Sequence, residues 1–118
     1  MATLNLLVIK TDKPEQQVEF YAAIGFQFVY HQHGTGPFHY SSTDEGLVLE
    51  IYPLPAPAHG PDQTTRFGFT VPNLELTMQT LQKLNVTIVT MPRDTEWGRM
   101  ALVQDMDGRR VELTEKQL

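Results

Sequence analysis

Residues 18–26 read Val18-Glu19-Phe20-Tyr21-Ala22-Ala23-Ile24-Gly25-Phe26: a helix end, a glycine and a new apolar start. Val18, Tyr21 and Ile24 fall at helical spacing. Gly25 is a natural left-handed stop, because it carries no Cβ. Upstream, Thr11-Asp12-Lys13-Pro14-Glu15 reads as the helix start, with Asp12 as cap, Glu15 three residues on as in a capping box, and Pro14 in the first turn. Downstream, Leu84-Asn85-Val86 repeats Ile24-Gly25-Phe26 at a distance of 60 residues (24 to 84), with asparagine standing where the glycine stood. Asparagine is the next-best residue for a left-handed stop. The second helix starts at a capping Asn73 and presents Leu74, Met78, Leu81 and Leu84 on one face.

Strand-length apolar stretches surround each helix. Leu4–Ile9 precedes the first; Phe26–His33, Phe38–Ser42 and Leu47–Tyr52 follow it, separated by turns at Gly34-Thr35-Gly36-Pro37 and Thr43-Asp44-Glu45-Gly46. Arg66–Val71 precedes the second helix; Val86–Val89, Met100–Gln104 and Val111–Thr114 follow it, with a last turn at Asp105-Met106-Asp107-Gly108. Leu6 lies 60 residues before Arg66, and Glu50 lies 62 before Glu112, each glutamate between apolar strand neighbours. The order β-α-β-β-β thus occurs twice, in modules 1–57 and 62–118. Between them Pro53, Pro55, Pro57, Gly60 and Pro61 form a linker. One domain made of two duplicated modules is the expected organisation.

Composition narrows the function. The 118 residues carry 9 basic and 14 acidic side chains, a net charge of 9 − 14 = −5, which argues against non-specific nucleic-acid binding. Zero cysteines exclude disulfides and thiolate chemistry and fit a cytoplasmic location. Apolar runs are too short to span a bilayer, and no secretory signal pattern is visible. There is no GxSxG elbow, phosphate-cradling glycine loop or GxGxxG after a strand.

Val18-Glu19-Phe20-Tyr21 leading to Ile24-Gly25-Phe26, and Trp97-Gly98-Arg99 before Asp105-Met106-Asp107-Gly108 and Val111-Glu112-Leu113, resemble the vicinal oxygen chelate superfamily of glyoxalases, bleomycin-resistance proteins and extradiol dioxygenases. The resemblance covers nearly the whole chain. It implies an α+β fold in which two βαβββ modules form a curved mixed sheet around a cavity, usually in a homodimer. It also implies two metal-ligand positions per module, here Leu6 (or Asn5, one residue away), Glu50, Arg66 and Glu112. Leucine donates nothing and arginine is a permanent cation. No cofactor is therefore expected; a divalent metal, if present, would use Glu50 and Glu112.

Strand alternation places Val48, Glu50 and Tyr52 on one face and Leu49 and Ile51 on the other. It likewise places Arg66 and Glu112 away from the helix side. Arg66 is expected either to replace the metal's charge and orient an anionic or oxygen-rich small molecule, or to form a structural ion pair. His31 and His33 share a face. A four-residue turn at 34–37 puts His39 opposite Gln32, on the other face, which argues against a three-histidine site. The same counting puts His39 opposite Glu50, as a candidate general base beside Glu112 or a pocket histidine with one hydrogen bond. Tyr52, Trp97 and Arg99 complete the expected ligand-binding set, Trp97 in a loop entering the seventh strand. Sequestration without chemistry is the leading expectation. A glyoxalase-like lyase or isomerase, or a dioxygenase, is the alternative.

Overall fold

The first helix begins where proline dictates. In the computed structural model, which describes residues 1–56 and 59–117, Pro14 opens α1 (Pro14–Ala23) and Lys13 is its N-cap, with no side-chain capping bond. Asp12 therefore does not cap: it precedes the residue that the proline ring makes the cap. The Lys13 amide instead donates to Thr11 Oγ1 at 3.0 Å. At the other end Gly25 has φ +123°, and the Phe26 amide reaches back to the Tyr21 carbonyl at 3.1 Å. Pro57 and Leu118, the expected ends of the two modules, lie outside the described residues.

Around α1 stand β1 (Leu6–Thr11), β2 (Phe28–His31), β3 (His39–Ser42) and β4 (Val48–Pro53). They form one sheet in the order β1-β4-β3-β2, with β1 parallel to β4 and the other pairs antiparallel. Ile9, Phe20, Tyr21, Ile24, Leu49 and Ile51 are buried as its core. Leu6 pairs with Val48 and Val8 with Glu50, so Leu6, not Asn5, shares the face of Glu50.

The second half repeats this plan. It comprises β5 (Phe67–Val71), α2 (Leu74–Lys83), β6 (Ile88–Thr95), β7 (Gly98–Gln104) and β8 (Arg110–Glu115), ordered β5-β8-β7-β6. Asn73 caps α2 by accepting from the Leu76 amide at 3.1 Å. Asn85 holds φ +57°, the left-handed stop its position foretells. Leu74, Met78 and Leu81 pack with Val103, Val111 and Leu113 in the buried core. The contacts of the chain separate into two units, Met1–Pro61 and Asp62–Leu118.

One segment departs from expectation. Residues 90–97 do not form a loop: β6 runs on to Thr95, and Glu96-Trp97 is a two-residue turn closing the β6–β7 hairpin. Register shifts on either side of Thr90 let Pro92 sit within the strand. Among the described residues no helix is long and apolar enough to cross a membrane.

Candidate functional site

Each unit gathers functional side chains on the sheet face turned away from its helix. In the first unit these come from the β2–β3 hairpin and β4. His31 pairs directly with His39, and Ser41 with Glu50. The loop between the strands therefore has seven residues, 32–38, rather than the expected four. Its odd length moves His39 from the Gln32 side to the His31 side, because a one-residue slip flips the face. The three histidines that sequence reasoning kept apart are together.

His39 is the centre of this group and is 1% exposed. Its ring stacks on Tyr52 at a centroid distance of 3.9 Å with 9° between planes. Its Nδ1 lies 3.1 Å from the Pro37 carbonyl oxygen. Its Nε2 lies 2.9 Å from His31 Nε2 and 3.3 Å from Glu50 Oε2. His33, on the exposed loop, brings its Nε2 to 3.5 Å from the same Glu50 oxygen. One ligand atom from each of His31, His33, His39 and Glu50 lies within 4.8 Å of all the others. Burial and then the Glu50 carboxylate raise the Tyr52 phenol above its ordinary pKa.

In the second unit Arg66 Nη2 donates to Glu112 Oε1 at 2.5 Å. Glu112 stands opposite Leu102 and Gly68. Next to the pair is a pocket of about 170 Å³, lined also by Thr90, Arg93, Thr95, Trp97, Met100, Ala101 and Leu102. Two guanidinium groups face one carboxylate there, leaving the lining with a net positive charge. Trp97, 73% exposed at the hairpin tip, supplies a flat aromatic wall.

Arg99 is placed elsewhere. It has the same strand parity as buried Ala101 and Val103, on the helix side. There its guanidinium donates to Glu75 Oε1 at 2.9 Å and to Asp94 Oδ1 at 3.4 Å. Glu75 first, then Asp94, raise its already high pKa. Arg66, Trp97 and Glu112 are brought together in the second unit, while His39, Glu50 and Tyr52 come together in the first. Sequence reasoning missed Arg93 and Thr90, because the strand that carries them looks like a loop around Pro92. It missed His31 and His33 as partners of His39 because the hairpin register was one residue out.

A family model of the Glyoxalase/Bleomycin resistance protein/Dioxygenase superfamily matches residues 3–113. The chain belongs to that superfamily. No curated protein matches the sequence. Solved structures share the glyoxalase-like fold. A superfamily member from Sphaerobacter thermophilus has a TM-score of 0.74 at 21% identity, over 98% of each chain. TnmS3, an antibiotic-binding protein from Streptomyces sp. CB03234, has 0.72 at 20% identity, over 99% of this chain and 98% of that one. TioX from Micromonospora sp. ML1 has 0.70 at 17% identity, over 98% of this chain and all of that one. The superfamily's metal positions do not fit an ion here. Leu6 has no donor atom, and Arg66 puts a cation on the Glu112 carboxylate that would otherwise ligate.

Proposed function

We propose that this superfamily member is a small-molecule binding protein of the sequestering, bleomycin-resistance type. Its ligand is anionic or oxygen-rich and carries an aromatic surface. The observation that carries this reading is the Arg66–Glu112 pair at the edge of a pocket walled by Arg93 and Trp97. Glu112 fixes one end of the guanidinium. A guanidinium has five N–H donors, so others remain to meet a carboxylate, phenolate or quinone oxygen. Trp97 packs the ligand's aromatic plane, and Met100 and Leu102 supply an adaptable apolar floor. In this reading Glu112 holds the arginine rather than moving a proton. An antibiotic-binding structural relative gives the proposal a precedent in fold.

The working form is proposed to be a cytoplasmic homodimer. Leu6, Val8 and Val29 on the first sheet, and Val89 and Met91 on the second, leave large apolar side chains exposed that a second copy can cover. Light scattering on the eluting protein is expected to give twice the chain mass.

Trp97 is the chain's single tryptophan, so its fluorescence reports ligand arrival at this pocket alone. Titration with a panel of anionic polycyclic aromatics is expected to quench it saturably. Arg66→Leu is expected to weaken the best ligand by at least about tenfold, the loss of one charge-assisted contact. If no compound quenches, or if Arg66→Leu binds as tightly as the parent protein, the reading fails.

A further inference from the structure

We propose that His31, His33, His39 and Glu50 form a binding site for one divalent transition-metal ion, zinc-like in its preferences, within the first unit. The site shares Glu50 with the superfamily's metal positions and takes its three histidine donors from outside them. Three of its four donors come from a hairpin and its loop, and none comes from the second unit.

The geometry fits an ion. Metal–nitrogen bonds of about 2.0–2.1 Å in a tetrahedron place neighbouring donors about 3.3 Å apart. Three of the six donor separations are 2.9 Å for His31–His39, 3.3 Å for His39–Glu50 and 3.5 Å for His33–Glu50, and all six lie within 4.8 Å, so an ion draws the wider pairs inward. Three imidazoles with a single carboxylate suit zinc, nickel, cobalt, iron or copper. Magnesium and calcium require oxygen-rich sites.

The surroundings supply what a metal-ligating histidine needs. The Pro37 carbonyl can only accept, so His39 Nδ1 carries the proton that meets it at 3.1 Å. That leaves Nε2 to face His31 Nε2 at 2.9 Å and Glu50 Oε2 at 3.3 Å, where donor atoms converge. Such converging lone pairs are held together by a shared proton or by a metal cation, and a cation can satisfy all of them at once. A backbone carbonyl on the far nitrogen is the usual device for orienting a ligating imidazole. Stacking on Tyr52 fixes the ring plane.

With four protein donors the site is closed and structural in kind. Its effect is to clamp the 32–38 loop, through His33, to the floor of the sheet. The proposal does not depend on the Arg66 pocket.

The test uses the full chain stripped with chelator and titrated calorimetrically with zinc, then with cobalt to read the visible absorption of a four-coordinate ion. One equivalent per chain and a higher Tm are expected. His33→Ala removes an exposed ring, so folding is retained; it is expected to weaken zinc binding by more than about 100-fold, beyond the effect of losing an outer-sphere partner. His31→Ala is expected to abolish the cobalt spectrum. His59→Ala and Glu112→Gln are expected to bind as the parent chain does. Failure to bind either ion overturns the proposal in favour of a proton-sharing cluster. So does binding that survives both His31→Ala and His33→Ala, or that is lost in Glu112→Gln.

Discussion

Among the described residues Arg109 is the largest fully buried side chain, at 2% exposure, and two aspartates hold its guanidinium. Its Nη1 lies 3.1 Å from Asp105 Oδ2 and 3.0 Å from Asp107 Oδ2. Asp105 Oδ1 also accepts from the Asp107 and Arg109 amides, which folds the β7–β8 turn around the guanidinium. Removing the cation takes the guanidinium away from two buried carboxylates. Arg109→Met is therefore expected to cost about 3–5 kcal/mol in urea unfolding, far more than a surface arginine. Asp62 Oδ2 lies 3.8 Å from Arg109 Nε, and hydrogen bonds from Thr65 and then Thr64 hold the Asp62 carboxyl well below its ordinary 3.8. A carboxyl depressed on folding stabilises the native state fully above its unfolded value. That contribution fades as pH falls through the lower native value. The Tm gap between the parent chain and Asp62→Asn is expected to be constant from pH 7 to about 5 and to narrow progressively below about 4, toward the depressed native value. A gap that widens on acidification would contradict the assignment. None of this network is visible in the sequence beyond a turn at 105–108, because burial of an arginine is decided by packing and not by local pattern.

At the scale of elements, the two helix stops were legible because a positive φ restricts the residue that can occupy it. Asn85 sits at φ +57°, where a Cβ is strained but an asparagine side chain is tolerated. Asn85→Gly is expected to be neutral or slightly stabilising, and Asn85→Ala to cost about 1 kcal/mol, both read by thermal unfolding. The faces of β4 and β8 were also legible, since Leu49, Ile51, Val111 and Leu113 alternate with Glu50 and Glu112 and end up buried as that alternation requires. Two things were not. Proline inside β6 argues against a strand, and two register shifts, each with an extra residue on β6, resolve the conflict. The β2–β3 loop carries two glycines and a proline, which mark a turn without fixing its length. One residue of error there decides whether His39 meets His31 or turns its back on it. The cap of α1 failed for a related reason: Asp12 and Pro14 both signal a helix start, and the proline sets the boundary.

At the scale of the whole molecule, the order and pairing of strands are the same in both halves, yet the side chains they present differ. The first sheet offers imidazoles and a carboxylate, the second a guanidinium, a carboxylate and an indole. The 60-residue spacing of the helices, 14–23 against 74–83, made the repeat readable from the chain alone. The shared plan also has a kinetic consequence. In each half the parallel pair joins residues far apart, Leu6 with Val48 and Phe67 with Val111, so it closes only after the intervening chain has ordered. The hairpins that must come first are unequal. Two residues turn β6 into β7, whereas seven separate β2 from β3. Refolding followed by pulsed hydrogen exchange is expected to protect amides of the β6–β7 ladder before those of the β2–β3 ladder. Two halves with one architecture would then assemble in a fixed order in time, the second half leading.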